Sequence, residues 1–246
     1  MVPREPYEAY VLGRANDADV RSMCTLTPYD LLTPTQISTC VGFQAIAQAN
    51  NRFSKGLRYT GVGGVFCGRS EMILPVGVGN LQKGERSVSF LFRCTLIDCS
   101  RYANMDYIFA SALRNTMLLL VLVSYDIACQ WFINLFMRMS EQWPSELRVS
   151  PSMKLIPAIP KLHEPMHSTL NHQVYSLNYI PSVGQSNLEC PEWVWAGHNA
   201  VGNATKSQGP GSQHDVLDNH FSFWNWPKYI GLGKTLMRKY RRALAD

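Results

Sequence analysis

The 246-residue chain is 46% apolar and 17% charged, enough to bury a sizeable core in one large domain or two small ones, which excludes a disordered or fibrous chain. A net charge of +5 and a pI near 8.8 admit an anionic partner, nucleic acid included, without demanding one. Seven cysteines without CxxC pairs fit free thiols in a reducing compartment, cytosol or nucleus, and no apolar run approaches the ~20 residues of a membrane span. The first ten residues also lack the apolar stretch of a signal peptide.

In chain order, residues 37–53 predict a helix, with Phe43 and Ile46 among its apolar positions and Arg52 and Lys55 closing it before Gly56. Residues 59–66 carry Gly61, Gly63 and Gly64 and predict a loop or an irregular strand. The Gly-x-Gly-Gly run lacks a following Gly-Lys-Ser/Thr and the full dinucleotide spacing, so it is read as close backbone packing. Residues 104–115 predict a helix leading into six consecutive aliphatic residues, 118–123, whose length and composition suit a strand buried on both faces. Asp126 follows that run, and an amphipathic helix is predicted over 127–143, with Ile127, Trp131 and Leu135 on its apolar side and Arg138 and Glu141 elsewhere. Asp126 therefore either caps this helix or stands at the carboxyl end of a strand, where open α/β sheets present their reactive groups. Residues 143–165 predict an extended connection broken by prolines, and the turn at 209–212 precedes a helical end in which Phe221, Phe223, Trp224 and Trp226 suggest core.

Three motifs carry chemistry. His163-Glu164-Pro165-Met166-His167 matches the His-Glu-x-x-His pattern of zinc hydrolases, but Pro157, Pro160 and Pro165 work against the regular helix that pattern requires. Glu189 and Glu192 lie three apart around Pro191, which suits the first turn of a helix. Alone the pair reads as an acidic helix start; together with Asp126 it supplies carboxylates from distant parts of the chain, as metal-assisted phosphoryl transfer requires. Lys234, Arg238, Lys239, Arg241 and Arg242 make the last helix strongly basic, read either as a solvated face or as a phosphate contact.

Several separated words make the chain resemble the Kyakuja-Dileera-Zisupton (KDZ) transposases, known mainly from fungal genomes. They are Gly77-Val-Gly-Asn-Leu-Gln-Lys-Gly-Glu-Arg86, Asn104-Met-Asp-Tyr-Ile-Phe109, Ser124-Tyr-Asp-Ile-Ala-Cys-Gln-Trp131, Ile159-Pro-Lys-Leu-His163, Glu189-Cys-Pro-Glu192 with Trp195, Gly209-Pro-Gly-Ser212, Leu217-Asp218, His220-Phe221 and Trp224-Asn-Trp226. The resemblance implies an α/β chain with an RNase H-like core and a helical carboxyl-terminal part, one partial catalytic domain over 1–246. It implies a nuclear protein that acts on DNA at transposon ends through Mg²⁺, and it leaves room for a homo-oligomer. Its Asp-Asp-Glu triad would place Asp126 as the second acid and Glu189 as the third, with Glu192 in reserve, and would make Asp126 and Glu189 metal ligands. The basic residues Lys234, Arg238, Lys239, Arg241 and Arg242 would meet DNA.

The chain departs from the family pattern in telling places. No residue matches the first acid, so the expectation is a sequence that begins after that strand and is inactive. Asn187 and Leu188 stand where the family tends to have an acid and a glycine before its third acid, and Cys67-Gly-Arg-Ser70-Glu71 lacks the family histidine. Residues 20–36 and 87–101 have no family counterpart; they are expected to be translated introns, or else loop insertions, with few core contacts. The competing readings are a DNA- or protein-binding remnant using the basic helix, and a zinc hydrolase built on His163 and His167.

Overall fold

The computed structural model describes residues 1–15, 59–82, 102–114, 116–167 and 172–245; the helix expected at 37–53 and the two segments expected to be inserts, 20–36 and 87–101, lie outside them. The described chain is mixed α/β, as expected. Helix α1 (Arg4–Ala15) is followed by strands β1 (Tyr59–Phe66) and β2 (Ile73–Gln82), an antiparallel hairpin whose register shifts between Tyr59 and Gly61 and between Gly64 and Phe66. That is the irregular strand of the two readings open at 59–66.

Helix α2 (Ala103–Leu113) lies on this hairpin because glycines let it approach. A Cβ on Gly79 would stand 2.8 Å from Ile108, and one on Gly63 would stand 3.1 Å from both Leu81 and Met105. The glycine run thus serves close packing, as its sequence suggested. Helix α1 closes over the same core, where the Tyr7 hydroxyl lies 2.6 Å from the Asn80 carbonyl and 2.6 Å from Asn104 Oδ1.

Strand β3 (Leu120–Ser124) runs parallel to β4 (Lys154–Ala158), in register from Leu120 opposite Lys154 to Ser124 opposite Ala158. The predicted strand exists, but its burial on both faces does not. Leu118, Leu119 and Leu120 are 57%, 68% and 54% exposed, and the rest of β3 is half-buried. Among the described residues β4 is its only paired neighbour, and the near end of the run stands exposed. The proline-rich stretch 143–165 is also more ordered than predicted: it contains β4, with Pro157 tolerated in a strand paired along one edge, and short 3₁₀ turns at Ser145–Leu147 and Glu164–Met166.

The single helix expected over 127–143 is two, α3 (Ala128–Trp131) and α4 (Leu135–Glu141), broken at Asn134 with φ of 56°. Arg138 lies not on a polar face but fully buried. Its Nη1 donates to the Ile133 carbonyl at 2.8 Å and its Nη2 to the Trp131 carbonyl at 2.8 Å, satisfying carbonyls that the break leaves outside a helical ladder. Its Nε donates to Asp106 Oδ2 at 2.7 Å and its Nη2 to Oδ1 at 3.2 Å. Trp131 Nε1 completes the carboxylate at 2.8 Å.

Helices α5 (Cys190–Thr205), α6 (Pro210–Ile230) and α7 (Leu232–Ala245) form the helical carboxyl-terminal part. Asn225 fastens α6 to the hairpin by accepting from the Ile73 N–H at 2.9 Å and donating to the Ile73 carbonyl at 2.8 Å, while Lys228 pairs with Glu71 at 2.8 Å. The predicted aromatic core is split by helical geometry. Phe221 is buried and Trp224 packs beside it, but Phe223 and Trp226 are 77% and 60% exposed on the opposite face. No helix of the described residues is long and apolar enough to cross a membrane.

Candidate functional site

Asp126 stands just past the carboxyl end of β3, where the β3–β4 pairing continues through the Tyr125 N–H to the Ala158 carbonyl at 3.1 Å. It does not cap a helix: Ile127 occupies the N-cap of α3, without any side-chain cap bond, and the Asp126 side chain is half-exposed. The connection after β4 brings His163 beside it. The start of α5 brings Glu189 and Glu192, with Pro191 inside the first turn as its residue type predicts.

His163 Nε2 lies 3.2 Å from Glu192 Oε1 and 3.7 Å from Asp126 Oδ1, and one ligand atom from each of Asp126, His163 and Glu192 falls within 4.8 Å of the others. Glu189 sits one step behind. It is buried, and its Oε1 accepts the Leu162 N–H at 2.7 Å, tying α5 to the loop that carries His163. Leu188, at φ 59°, turns the chain into that position. One oxygen of each glutamate, Oε2 in both cases, is buried without a hydrogen-bond partner. Partial burial pushes the Asp126 carboxyl above its ordinary range; the nearby His163 opposes this, and the negative charges of Glu192 and Glu189 add to it. Two acids and a histidine held this close, with Glu189 behind them and one oxygen of each glutamate unpartnered, form a cradle able to hold a divalent cation.

Of the residues expected to meet, Asp126 and Glu192 come together directly, and Glu189 approaches closely enough for its charge to be felt at Asp126. His163 and His167 do not share a helix face, because a 3₁₀ turn over Glu164–Met166 separates them. His163 joins the carboxylates, whereas His167 turns to Cys129 and His172. The spacing of a zinc-hydrolase motif is therefore present without its geometry. The basic residues lie apart on α7, where Lys234, Arg238 and Arg241 line one shallow concavity with Met237 and Lys239 donates to the Arg69 carbonyl at 2.6 Å.

Sequence reasoning overlooked Asp106, whose carboxylate is wholly buried and neutralised by Arg138. The signal was there: an aspartate within the otherwise apolar Asn104-Met-Asp-Tyr-Ile-Phe word needs a buried cation or donors. It also overlooked His198, buried in α5 against Phe221 and Trp224, with Nδ1 2.7 Å from the Val194 carbonyl.

A search among curated proteins and among solved structures found no match. The family model described as Kyakuja-Dileera-Zisupton transposase matches residues 2–225. That span takes in the hairpin, β3 with Asp126, the loop with His163, the acidic start of α5 and most of α6, and it stops short of the basic helix α7. With the match running through every element that builds the carboxylate cradle, the chain belongs to the Kyakuja-Dileera-Zisupton transposase family.

Proposed function

We propose that this chain is a transposase catalytic module that holds one divalent cation, Mg²⁺ by its oxygen donors, between Asp126 and Glu192, and that uses α7 to contact DNA phosphates. The observation that carries the reading is the convergence of these two carboxylates, far apart in sequence, at the end of a parallel strand pair. The partnerless Oε2 atoms of Glu189 and Glu192 support the fit, because a buried carboxylate oxygen without a donor is costly unless a cation or proton meets it. A bound cation would polarise a phosphate and lower the pKa of an attacking water. Asp126 and Glu192 bind it, Glu189 fixes the loop beneath them, and His163 stands between the two carboxylates at 3.7 and 3.2 Å. The order of antiparallel hairpin, helix, acid-bearing parallel strand and acid-bearing helix supports an RNase H-like core, and a nuclear site of action accompanies that reading.

The same reading makes the chain, as given, unable to cut. In-line displacement by two metal ions needs three acids in concert, and no residue here matches the first acid of the family. The chain therefore binds DNA and one cation without cleaving. The test is incubation of the purified protein with DNA carrying the ends of a related element, in Mg²⁺ or Mn²⁺. Salt-sensitive binding without nicks is expected. Nicking by the chain alone, lost in Asp126→Ala, would show that another group replaces the first acid and would end the inactive reading.

A further inference from the structure

A second cluster, distinct from the carboxylates, lies close to the Asp126 main chain. Cys129 on α3, His167 after the 3₁₀ turn and His172 at the start of the next one place one ligand atom each within 4.8 Å of one another. Cys129 and His167 are both 7% exposed and His172 is half-buried, so the group is shielded but reachable from one side. Cys129 Sγ lies 3.7 Å from His167 Nδ1. Ligands at ordinary Zn–S and Zn–N lengths around a tetrahedral centre stand about 3.5 Å apart, so this pair needs almost no movement to share an ion. The His167 and His172 rings face each other at 5.6 Å with a 32° tilt. The His167 ring also hydrogen-bonds the main chain of Asp126, the kind of second contact that fixes the orientation of a metal-bound imidazole.

We infer that Cys129, His167 and His172 form a binding site for a soft divalent cation, Zn²⁺ by its ligand set, separate from the carboxylate cradle and with its fourth position left to solvent. One thiolate and two imidazoles select zinc over magnesium, whereas Asp126, Glu189 and Glu192 offer oxygen and favour the reverse. The two centres thus sort two kinds of metal within one short stretch of chain. The zinc centre would act on the first through structure: it clamps the turn between β3 and α3 to the segment after His163, the two pieces that present Asp126 and His163.

The experiment is a Co²⁺ titration of the purified full chain, read by thiolate-to-cobalt charge-transfer absorption. One equivalent should develop the band, Zn²⁺ should displace it and Mg²⁺ should not. Cys129→Ser should abolish it, His172→Ala should weaken Co²⁺ binding by roughly tenfold or more, and Asp126→Asn combined with Glu192→Gln should leave both band and stoichiometry intact. No band, or a band that survives Cys129→Ser, overturns the inference, while loss of the band in the carboxylate double variant would merge the two centres into one. A second measurement needs no variant: in the unaltered chain Zn²⁺ should slow alkylation of Cys129 by roughly tenfold relative to Mg²⁺, and an unchanged rate overturns the inference as well. Failure of DNA binding or of single-cation binding at Asp126 would leave all of these readings unaffected, so the two claims fail separately.

Discussion

Asp106 and Asp126 are both acids set in apolar stretches of sequence, and they meet opposite fates. Asp106 is sealed in the core with its two oxygens filled by the Arg138 fork and the Trp131 indole N–H. Asp126 stands half-exposed beside two glutamates, with a single histidine between it and Glu192 and with glutamate oxygens left unpartnered. A carboxylate saturated by fixed donors can do nothing further; it holds the fold. One that is half-exposed and crowded by neighbouring negative charge is open to a cation. Saturation of the oxygens, rather than burial of the residue, separates the structural acid from the proposed cation ligand.

The largest effect should come from breaking the saturated acid. Asp106→Ala strands the Arg138 charge in the core and should cost about 3–5 kcal/mol of stability in urea unfolding. Adding Arg138→Met should return a good part of that loss, since removing both partners also removes the unpaired charge. A single variant within about 0.5 kcal/mol of the parent would mean that the pair carries little of the fold.

The open acids should behave in the opposite way. Asp126→Asn or Glu192→Gln should change metal-free stability by no more than about 0.5 kcal/mol. At free Mn²⁺ one hundred times its Kd, the parent chain should gain about 2.7 kcal/mol, seen as a rise in melting temperature that either variant loses. If both variants keep the Mn²⁺ shift, the cation binds elsewhere and the contrast between the acids loses its functional half.

DNA binding tests whether the basic helix belongs with the open acids. Each of Lys234→Gln, Arg238→Gln and Arg241→Gln should lower the slope of log K against log salt by about 0.9 if that residue meets a phosphate. Slopes equal to the parent's would make α7 a solvated helix and move the DNA surface to another face.

The smallest effect repeats the contrast in two thiols. Burial pushes Cys190 up to about 12. Burial acts the same way on Cys67, but donors of the Arg69–Ser70 turn and the Arg69 charge outweigh it and bring that thiol below its ordinary value. Thiolate persists to lower pH at Cys67, so alkylation followed by mass spectrometry from pH 7 upward should modify Cys67 well before Cys190. The reverse order would show that donors do not govern reactivity here.

Much of this was legible in the sequence for local reasons. Six aliphatic residues in a row made 118–123 a strand, the glycines at 61, 63 and 64 pointed to close backbone packing without naming the partner, and Pro191 marked the start of α5, because each signal depends on neighbours in the chain. The break at Asn134 was not legible, since an amphipathic period through 127–143 fits one helix until a buried guanidinium is available to take up the freed carbonyls. Nor was β4, because prolines argue against a strand unless the strand has an unpaired edge, and edges are a property of the sheet.

The sequence by itself carried the words that resemble the family, the helix, strand and turn signals that depend on chain neighbours, and the carboxylates at Asp126, Glu189 and Glu192, since each of these is written in a short run of residues. Only the tertiary structure decided which of them meet. It sent His163 to the carboxylates and His167 to Cys129, four residues apart in sequence yet in different clusters, because a 3₁₀ turn rotates successive side chains through a different angle from an α-helix. It also turned Arg138 inward to Asp106 and left Asp126 open, because the pairing of charges across the fold depends on packing between distant segments, which no local pattern encodes.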